Sequence, residues 1–145
     1  MAYSGKFYPK NPHKYKGDIN NIVWRSTWER RLMKFLDEND NVLEYGSEEI
    51  VVPYYSPVDG RPHRYFVDFY VKLRDKNGDI KVYIVEVKPF SQTLPPKKRS
   101  KMTPAYMKEC QTYAVNQAKW DAARKFAEHN GIEFIVLTEK QLFGK

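Results

Sequence analysis

The sequence predicts one α/β domain with a central mixed β-sheet and helices packed on it. The length of 145 residues suits a single domain, and hydrophobic residues make up 41% of the chain, which is enough for a core. Hydrophobic periodicity places a helix first, then a run of strands, a second helix and a last strand. The sequence contains no internal repeat or low-complexity tract, so a repeat architecture is excluded.

The N-terminal part of the chain predicts a basic arm and a helix. Residues 1–20 are rich in Pro, Gly, Asn and Lys, which predicts an irregular arm ahead of a domain spanning residues 21–145. Ser26 and Glu29 have the spacing of a capping box, so we expect a helix from near Ser26 to the Asn39-Asp40-Asn41 run. Its predicted apolar stripe consists of Trp28, Leu32, Phe35 and Leu36.

Strand signals follow this helix. They cover residues 42–45, 49–55, 64–73 and 81–88. Pro53 lacks the backbone N–H that a central strand needs, so it indicates an edge strand or an irregularity. The Asn77-Gly78 pair is typical of a hairpin turn, and it predicts that the last two of these strands are antiparallel neighbours.

The C-terminal part predicts a loop, a long helix and a strand. Residues 89–104 contain several prolines and basic residues, which predicts a loop. Pro104 suits the start of a helix over about residues 105–129, and Gly131 suits its end. Residues 132–137 are mostly apolar, so we expect a buried final strand.

Composition excludes several protein classes. The single cysteine, Cys110, rules out an internal disulfide and fits a reducing compartment such as the cytoplasm. No apolar run approaches the roughly 20 residues that span a bilayer, so we expect no membrane partner. The N-terminus shows no apolar core of the signal-peptide kind. These features favour a globular protein of the cytoplasm.

The charge indicates a polyanionic partner. The formal net charge is +7, and nucleic acid is the commonest polyanion that such a chain meets. Basic residues lie beside aromatic ones near the N-terminus and cluster again in the loop before the long helix, where they suit contacts with DNA phosphates and sugars. A solvated arm and a solvated loop are the alternative interpretation. The candidate DNA-contacting residues are Lys6, Lys10, Lys14, Lys97, Lys98, Arg99 and Lys101.

Three polar residues in the predicted hairpin strands form the candidate active site. Asp68 interrupts a run of large apolar residues, and Glu86 and Lys88 share one face of the next strand because side chains alternate. A lone charge inside such a strand is costly unless it is paired or binds a metal. The carboxylates of Asp68 and Glu86 are hard oxygen ligands that suit Mg²⁺. The backbone carbonyl of Val87, between the Glu86 and Lys88 side chains, is a candidate for a further ligand. Lys88 can position or deprotonate a water, or stabilise negative charge on a phosphate.

The same residues also have a purely structural interpretation. Asp68 suits a solvent-facing strand end, and Glu86 with Lys88 suits an exposed charge pair. Glu29 suits its capping role by itself. Glu29 also lies three, four and seven residues before Leu32, Met33 and Leu36. This spacing places it at the rim of the buried face of its helix, within reach of the sheet.

The pattern resembles the PD-(D/E)XK nuclease superfamily in its helix glutamate, its aspartate and its Glu-x-Lys segment. The resemblance implies a single restriction-endonuclease-like domain in which acidic residues bind Mg²⁺ or Mn²⁺. It implies that Asp68, Glu86 and Val87 ligate the metal and that Lys88 activates the attacking water. Phe-Val-Asp stands here where the superfamily often has Pro-Asp.

The resemblance also implies roles for residues on the two helices. Glu29 corresponds to the first-helix acid, and either Gln117 or Lys119 corresponds to the polar residue of the later helix. Gln117 faces inward by its spacing from Tyr113 and Trp120. Lys119 suits a solvated helix face by the same geometry, and it also suits a DNA contact.

A longer series of matches resembles the head completion proteins of T-even-like tailed bacteriophages. This resemblance implies an endonuclease that hydrolyses double-stranded DNA with little sequence specificity, late in virion assembly and after DNA packaging. It places the protein in the cytoplasm of the infected host cell and in the virion, with head-vertex or neck proteins as partners. The matching segments are residues 1–6, 25–29, 65–68, 86–89 and 113–120.

Two other functions stay open on the sequence. One is a structural virion or DNA-binding head protein built on an inactive nuclease fold, although an intact Asp68, Glu86 and Lys88 favours the enzyme. The other is a junction-resolving or restriction-type enzyme. That enzyme needs a dimer surface or a specificity domain, and a single short domain shows no sign of the latter.

Overall fold

The computed structural model describes residues 4–142. Residues 1–3 of the predicted arm, which also open the series of phage matches, and residues 143–145 of the predicted domain lie outside this range. The strands are β1 (Gly5–Lys6), β2 (Val23–Trp24), β3 (Val42–Ser47), β4 (Val51–Tyr55), β5 (Pro62–Phe66), β6 (Phe69–Arg74), β7 (Ile80–Val87) and β8 (Glu133–Leu137). The helices are α1 (Thr27–Glu38), α2 (Pro104–His129) and α3 (Glu139–Leu142).

A four-stranded mixed sheet forms the centre of the molecule. Its strand order is β3-β6-β7-β8, with β3–β6 and β6–β7 antiparallel and β7–β8 parallel. The strands β4 and β5 form a separate antiparallel hairpin, and β1 pairs with β2. The predicted mixed sheet flanked by helices is therefore confirmed. Pro53 lies in β4, which among the described residues pairs with β5 alone, as an edge position requires.

Helices α1 and α2 cover opposite faces of the central sheet. On one face Val85 of β7 joins a cluster with Met33 and Leu36 of α1. On the other face Ile84 joins a cluster with Trp120 of α2 and residues of the β4–β5 hairpin. Because side chains alternate along β7, the residues at even positions near its end point towards α2.

Helix α1 begins and ends where the sequence predicts, but its buried face differs by one position. The Ser26 hydroxyl accepts a hydrogen bond from the Glu29 N–H at 3.1 Å, and Asn39 follows the last helical residue. Leu32, Met33 and Leu36 are buried, whereas Phe35 is 57% exposed. The predicted inclusion of Phe35 is therefore wrong, because the face centred on Leu32, Met33 and Leu36 leaves position 35 pointing outwards.

The predicted strand over residues 64–73 is in fact two strands. β5 pairs with β4, whereas β6 pairs with β3 and β7, and the chain passes from one sheet to the other at Val67 and Asp68. Tyr65, Val67 and Phe69 are all buried, so the alternating pattern continues unbroken through the junction. Periodicity therefore could not reveal this break.

Helix α2 and the final strand follow the prediction closely. Thr103 caps α2, which begins at Pro104, and Gly131 follows its end with a positive φ of 67°. β8 is an edge strand of the central sheet and is half-buried, so the expectation of a buried strand is wrong. No helix within residues 4–142 is long and apolar enough to cross a membrane.

The predicted basic arm packs against α1 in the part that the structure describes. The Lys14 side chain is 9% exposed, and its Nζ donates hydrogen bonds to the backbone carbonyls of Asp37, at 3.0 Å, and Asn39, at 2.7 Å. These carbonyls lie at the C-terminal end of α1, where a cation is favourable. The prediction that Lys14 contacts DNA is therefore wrong, because its ammonium group is enclosed by protein.

Asp37 connects this arm to the core, which gives a test of the fold. Its carboxylate is 1% exposed and accepts hydrogen bonds from the Tyr45 hydroxyl, at 3.0 Å, and from the backbone N–H of Lys10, at 2.9 Å. We expect Asp37→Ala to lower the free energy of unfolding by at least about 2 kcal/mol, because buried donors lose their acceptor. Urea unfolding measures this. The control is Asp40→Ala, at an exposed site. An equal loss of unfolding free energy in this control would contradict the stabilising role of the buried Asp37 contacts.

Candidate active site

The strand junction and the end of β7 bring the predicted acidic residues together. Asp68 lies between β5 and β6, and its Oδ2 accepts a hydrogen bond from the Val87 N–H at 2.8 Å. Glu86 is the last but one residue of β7, and Lys88 directly follows the strand, where its N–H donates to the Leu137 carbonyl of β8 at 2.9 Å. The backbone therefore fixes Asp68 against the Glu86-Val87-Lys88 segment.

Glu86 is a buried carboxylate with two partners. It is 6% exposed, its Oε1 accepts a hydrogen bond from the Tyr65 hydroxyl, and its Oε2 lies 3.3 Å from the Lys88 Nζ. Burial and the adjacent Glu86 charge raise the pKa of Tyr65, so this hydroxyl stays a protonated donor. The Glu86 and Lys88 pair is consequently not the exposed charge pair of the structural interpretation.

Asp68 lies in an environment that disfavours its charge. Burial first, and then the Glu86 charge, raise the pKa of Asp68 to about 8, while the Val87 N–H and Lys88 lower it only in part. The single positive charge of Lys88 cannot balance two negative charges on the neighbouring carboxylates of Asp68 and Glu86. The site therefore carries unbalanced negative charge, which either a proton or a cation relieves.

Glu29 also lies in the field of this acid pair. Burial raises the pKa of Glu29, and the Glu48 and Glu86 charges add to this effect while Arg25 opposes it. Its Oε1 accepts a hydrogen bond from the Arg25 N–H at 3.1 Å, one residue earlier than a capping box predicts. The structure thus brings Glu29 to the edge of the site with its carboxylate held by the backbone.

Sequence reasoning missed two residues beside the acids. The Tyr65 hydroxyl contacts Glu86 directly, and the Glu48 N–H donates to the Asp68 carbonyl at 3.1 Å while its carboxylate pairs with Arg25. Glu48 has a φ of 54°, which is uncommon for a residue other than glycine. No sequence signal marks either residue, because both positions depend on the change of sheet at Val67 and Asp68.

Helix α2 contributes Lys119 to the site. The Lys119 Nζ lies 5.5 Å from the centre of the Tyr65 ring and 5.9 Å from that of the Tyr54 ring. Gln117 is half-buried, and its side chain has no hydrogen-bond partner within residues 4–142. The inward face of α2 carries Asn116 and Trp120 instead. Of the two candidates on this helix, Lys119 is therefore the one that lies over the ring of Tyr65, whose hydroxyl bonds to Glu86.

The remaining candidate DNA contacts lie on the surface. Lys6 and Lys10 are exposed near the N-terminus, and Lys10 lies 3.8 Å from Glu38. The basic residues of the loop before α2 are all exposed, and Arg99 lies 3.6 Å from Glu109 of that helix. The exposed loop residues are Lys97, Lys98, Arg99 and Lys101.

Hard oxygen atoms are the available metal ligands at this site. Across residues 4–142, no group of three or more His, Cys, Asp and Glu side chains is arranged to hold a metal ion. Asp68 and Glu86 alone offer two carboxylates together with backbone carbonyls. Ions such as Mg²⁺, which bind one or two carboxylates and retain several waters, match this donor set better than Zn²⁺ does.

Comparisons with known proteins identify a family and a relative for this chain. A family profile described as "TnsA-like endonuclease N terminal" matches residues 39–139, a range that contains Asp68, Glu86 and Lys88 but not Glu29. The head completion nuclease of Enterobacteria phage T4 is 42% identical over 146 aligned residues, which cover 98% of this chain and 95% of that protein.

Proposed function

Because the chain belongs to the TnsA-like endonuclease family, we propose that it is a Mg²⁺- or Mn²⁺-dependent endodeoxyribonuclease with little sequence specificity. The observation that supports this most strongly is the buried Glu86 beside Asp68, with Lys88 at 3.3 Å from the Glu86 carboxylate. The relative's name adds a context. We propose that this chain, too, acts in completing the phage head after DNA packaging, in the infected host cell and in the virion.

The acid pair fits a divalent cation. Asp68 and Glu86 repel each other in a desolvated site, and a cation between them removes that repulsion. The N–H and C=O of a strand residue point to the same side, so the Val87 carbonyl faces the side on which its N–H meets Asp68. Asp68, Glu86 and the Val87 carbonyl would therefore hold the metal. When bound, the metal would polarise the scissile phosphate and lower the pKa of the attacking water.

The surrounding side chains perform the other steps of hydrolysis. The Lys88 ammonium orients the attacking water and stabilises negative charge that develops on the phosphate. The Tyr65 hydroxyl fixes the Glu86 carboxylate by hydrogen bonding. Lys119, which lies over the Tyr65 ring, binds a phosphate of the cleaved strand next to the acid pair. Glu29 orients groups at the rim of the site after its carboxylate leaves the Arg25 N–H.

Double-stranded DNA is the proposed substrate, and the exposed basic residues bind it. A contact with a phosphate carries no base information, which accounts for low sequence specificity. The proposed contacts are Lys6, Lys10, Lys97, Lys98, Arg99, Lys101 and Lys119. We also propose head-vertex or neck proteins as partners; the name of the relative supports a role at the head.

The proposed function is tested by incubating the protein with supercoiled plasmid in Mg²⁺, in Mn²⁺ and in chelator. We expect nicked circles and then linear DNA in either metal, and no cleavage in chelator. Plasmids of unrelated sequence should be cut at similar rates. Bound but uncut DNA in both metals would instead support a structural head protein on an inactive nuclease fold.

Neutralising the basic loop should weaken DNA binding in a salt-dependent manner. The variant changes Lys97, Lys98, Arg99 and Lys101 together to Gln. The slope of log K against log salt should become shallower by about 0.9 for every phosphate that the variant no longer neutralises. Binding to a duplex is measured in chelator by fluorescence anisotropy at several salt concentrations. Lys76→Gln is the control, in the exposed β6–β7 turn at the opposite end of β7 from Lys88. An unchanged slope in the loop variant would exclude the loop from the interface.

A further inference from the structure

A groove of about 700 Å³ lies between the loop that follows β7 and the N-terminal half of α2. This volume falls within the range of pockets that bind small organic groups. Both walls combine apolar and polar residues. The residues that define the two walls are Leu94, Pro95 and Pro96 on the loop and Thr112, Tyr113 and Asn116 on α2.

Asn116 is the residue that indicates a ligand. It is 7% exposed, and no group within residues 4–142 hydrogen-bonds to its side chain. The Asn116 amide is not sealed from solvent, and it lines the groove. Buried amides normally have hydrogen-bond partners. An amide with a donor and an acceptor side by side can pair with the polar edge of a nucleobase.

The rest of the groove also suits a nucleotide. Tyr113 lies three residues before Asn116 on the same face of α2 and offers an aromatic ring for stacking. Lys97, Arg99 and Lys108 line the groove together with one acid, Glu109, so the lining carries net positive charge for a phosphate. The Arg99 guanidinium, which also lies 5.8 Å from the centre of the Tyr106 ring, holds the loop against α2.

The groove is built from the loop that follows Lys88 and from the helix that carries Lys119. Ser91 lines it and lies three residues after Lys88. Asn116 precedes Lys119 by three residues, which is about 4.5 Å along a helix. The Lys119 Nζ in turn lies 5.5 Å from the ring centre of Tyr65, whose hydroxyl bonds to Glu86. The same loop and the same helix therefore connect the groove to the acid pair, so a strand bound at the acid pair can reach the groove.

We propose that this groove receives one unpaired nucleotide of the strand being cut, so that the enzyme prefers DNA with a single-stranded branch or frayed end beside the scissile bond. The proposal rests on DNA being the substrate, as proposed above. A paired base cannot reach the groove without leaving the stack, whereas an unpaired base enters at little cost. Tyr113 stacks on the base, Asn116 pairs with its edge, and the basic rim binds its phosphate.

The first test compares cleavage of a splayed duplex with cleavage of the fully paired duplex of the same sequence. We expect wild-type protein to cut the splayed DNA roughly tenfold faster, since stacking of one base is worth about that factor. Asn116→Ala and Tyr113→Leu should bring this ratio close to one with the rate on paired DNA unchanged, and Tyr113→Phe should retain the preference. Gln111→Ala, an exposed amide on the same helix, is the control.

The second test is binding in chelator, which does not depend on catalysis. A 2-aminopurine base in the unpaired branch should lose fluorescence when wild-type protein binds, because it stacks on Tyr113, and should not do so with Tyr113→Leu. If wild-type protein neither prefers splayed DNA nor quenches the 2-aminopurine fluorescence, the inference is overturned even if plasmid nicking persists. The same holds if Asn116→Ala slows both substrates equally, or if the groove binds a head protein and no nucleotide. Quenching without any cleavage would support the groove while contradicting the proposed nuclease.

Discussion

Asp68→Asn is expected to abolish DNA cleavage and yet to stabilise the metal-free protein. Asparagine retains the shape of the side chain and an acceptor for the Val87 N–H. It removes one of the two carboxylates that we propose bind the metal, so the cleavage rate should fall by at least about 10³-fold, the scale of losing charge stabilisation in a transition state. DNA binding in chelator should stay within about twofold of the wild-type value, because the basic surface is unchanged.

The stability change follows from the pKa of Asp68. In the folded protein this pKa is raised to about 8, so folding takes up a proton and stability falls as pH rises from about 4 to about 8. Asparagine has no proton to lose and stays neutral, so the variant escapes this fall. In chelator at pH 8 we expect the melting temperature to rise by at least about 3 °C, and at pH 5 the gain should shrink towards zero.

Thermal unfolding of both proteins across this pH range, beside measured nicking rates, tests the prediction. Asp40→Asn is a matched control, since Asp40 is exposed and lies outside the acid pair. It should change neither cleavage nor the pH dependence of stability. A lower melting temperature of Asp68→Asn at pH 8 would show that the Asp68 charge stabilises the fold and would contradict the described electrostatics.

Lys88→Met should separate catalysis from metal binding. Methionine approximates the length of the lysine stem but cannot orient water or stabilise negative charge, so cleavage should fall by about 10²- to 10⁴-fold. The carboxylates of Asp68 and Glu86 are retained, so a divalent ion should still bind. Glu86 is 6% exposed and loses its ion pair, so the metal-free protein should be less stable and Mg²⁺ should restore much of the loss.

Nicking assays and thermal unfolding with and without Mg²⁺ measure both parts of this prediction. The control is Lys125→Met, which removes an exposed lysine from α2. Cleavage by Lys88→Met at the wild-type rate would exclude the proposed role of Lys88. A melting temperature that no longer responds to Mg²⁺ would show that Lys88 is needed for metal binding.

Much of the fold could be predicted because local chemistry determines it. Ser26 caps α1, Thr103 and Pro104 begin α2, and Gly131 follows its end in the left-handed region. The mixed sheet was predicted from the order of its elements and is confirmed. The break at residues 67–68 was not predictable, since burial alternates through it as in a continuous strand.

The site was predictable where it depends on one strand and hidden where it depends on tertiary contacts. Glu86 and Lys88 share a strand face, so their spacing indicated the pair. The Tyr65 hydroxyl reaches Glu86, and Lys119 lies over the Tyr65 ring, only because β5 leaves the central sheet and α2 packs on the face of that sheet. The burial of Lys14 also depends on a tertiary contact, the carbonyls at the end of α1.

The resemblance to nucleases and to phage head completion proteins is confirmed by the comparisons. The family match covers both residues of the acid pair, and the T4 relative aligns along almost the entire chain. The metal and the role of each residue stay predictions.

The most direct test of the acid pair as a metal centre is a calorimetric titration of the protein with Mn²⁺ at pH 7, in two buffers of different ionisation enthalpy. Wild-type protein should show saturable binding with release of protons, because Asp68, whose pKa is about 8 without metal, must ionise to bind the cation. Asp68→Asn should show neither the binding nor the release. Binding that is equal in both proteins, or absent from wild type, would contradict the proposed metal centre.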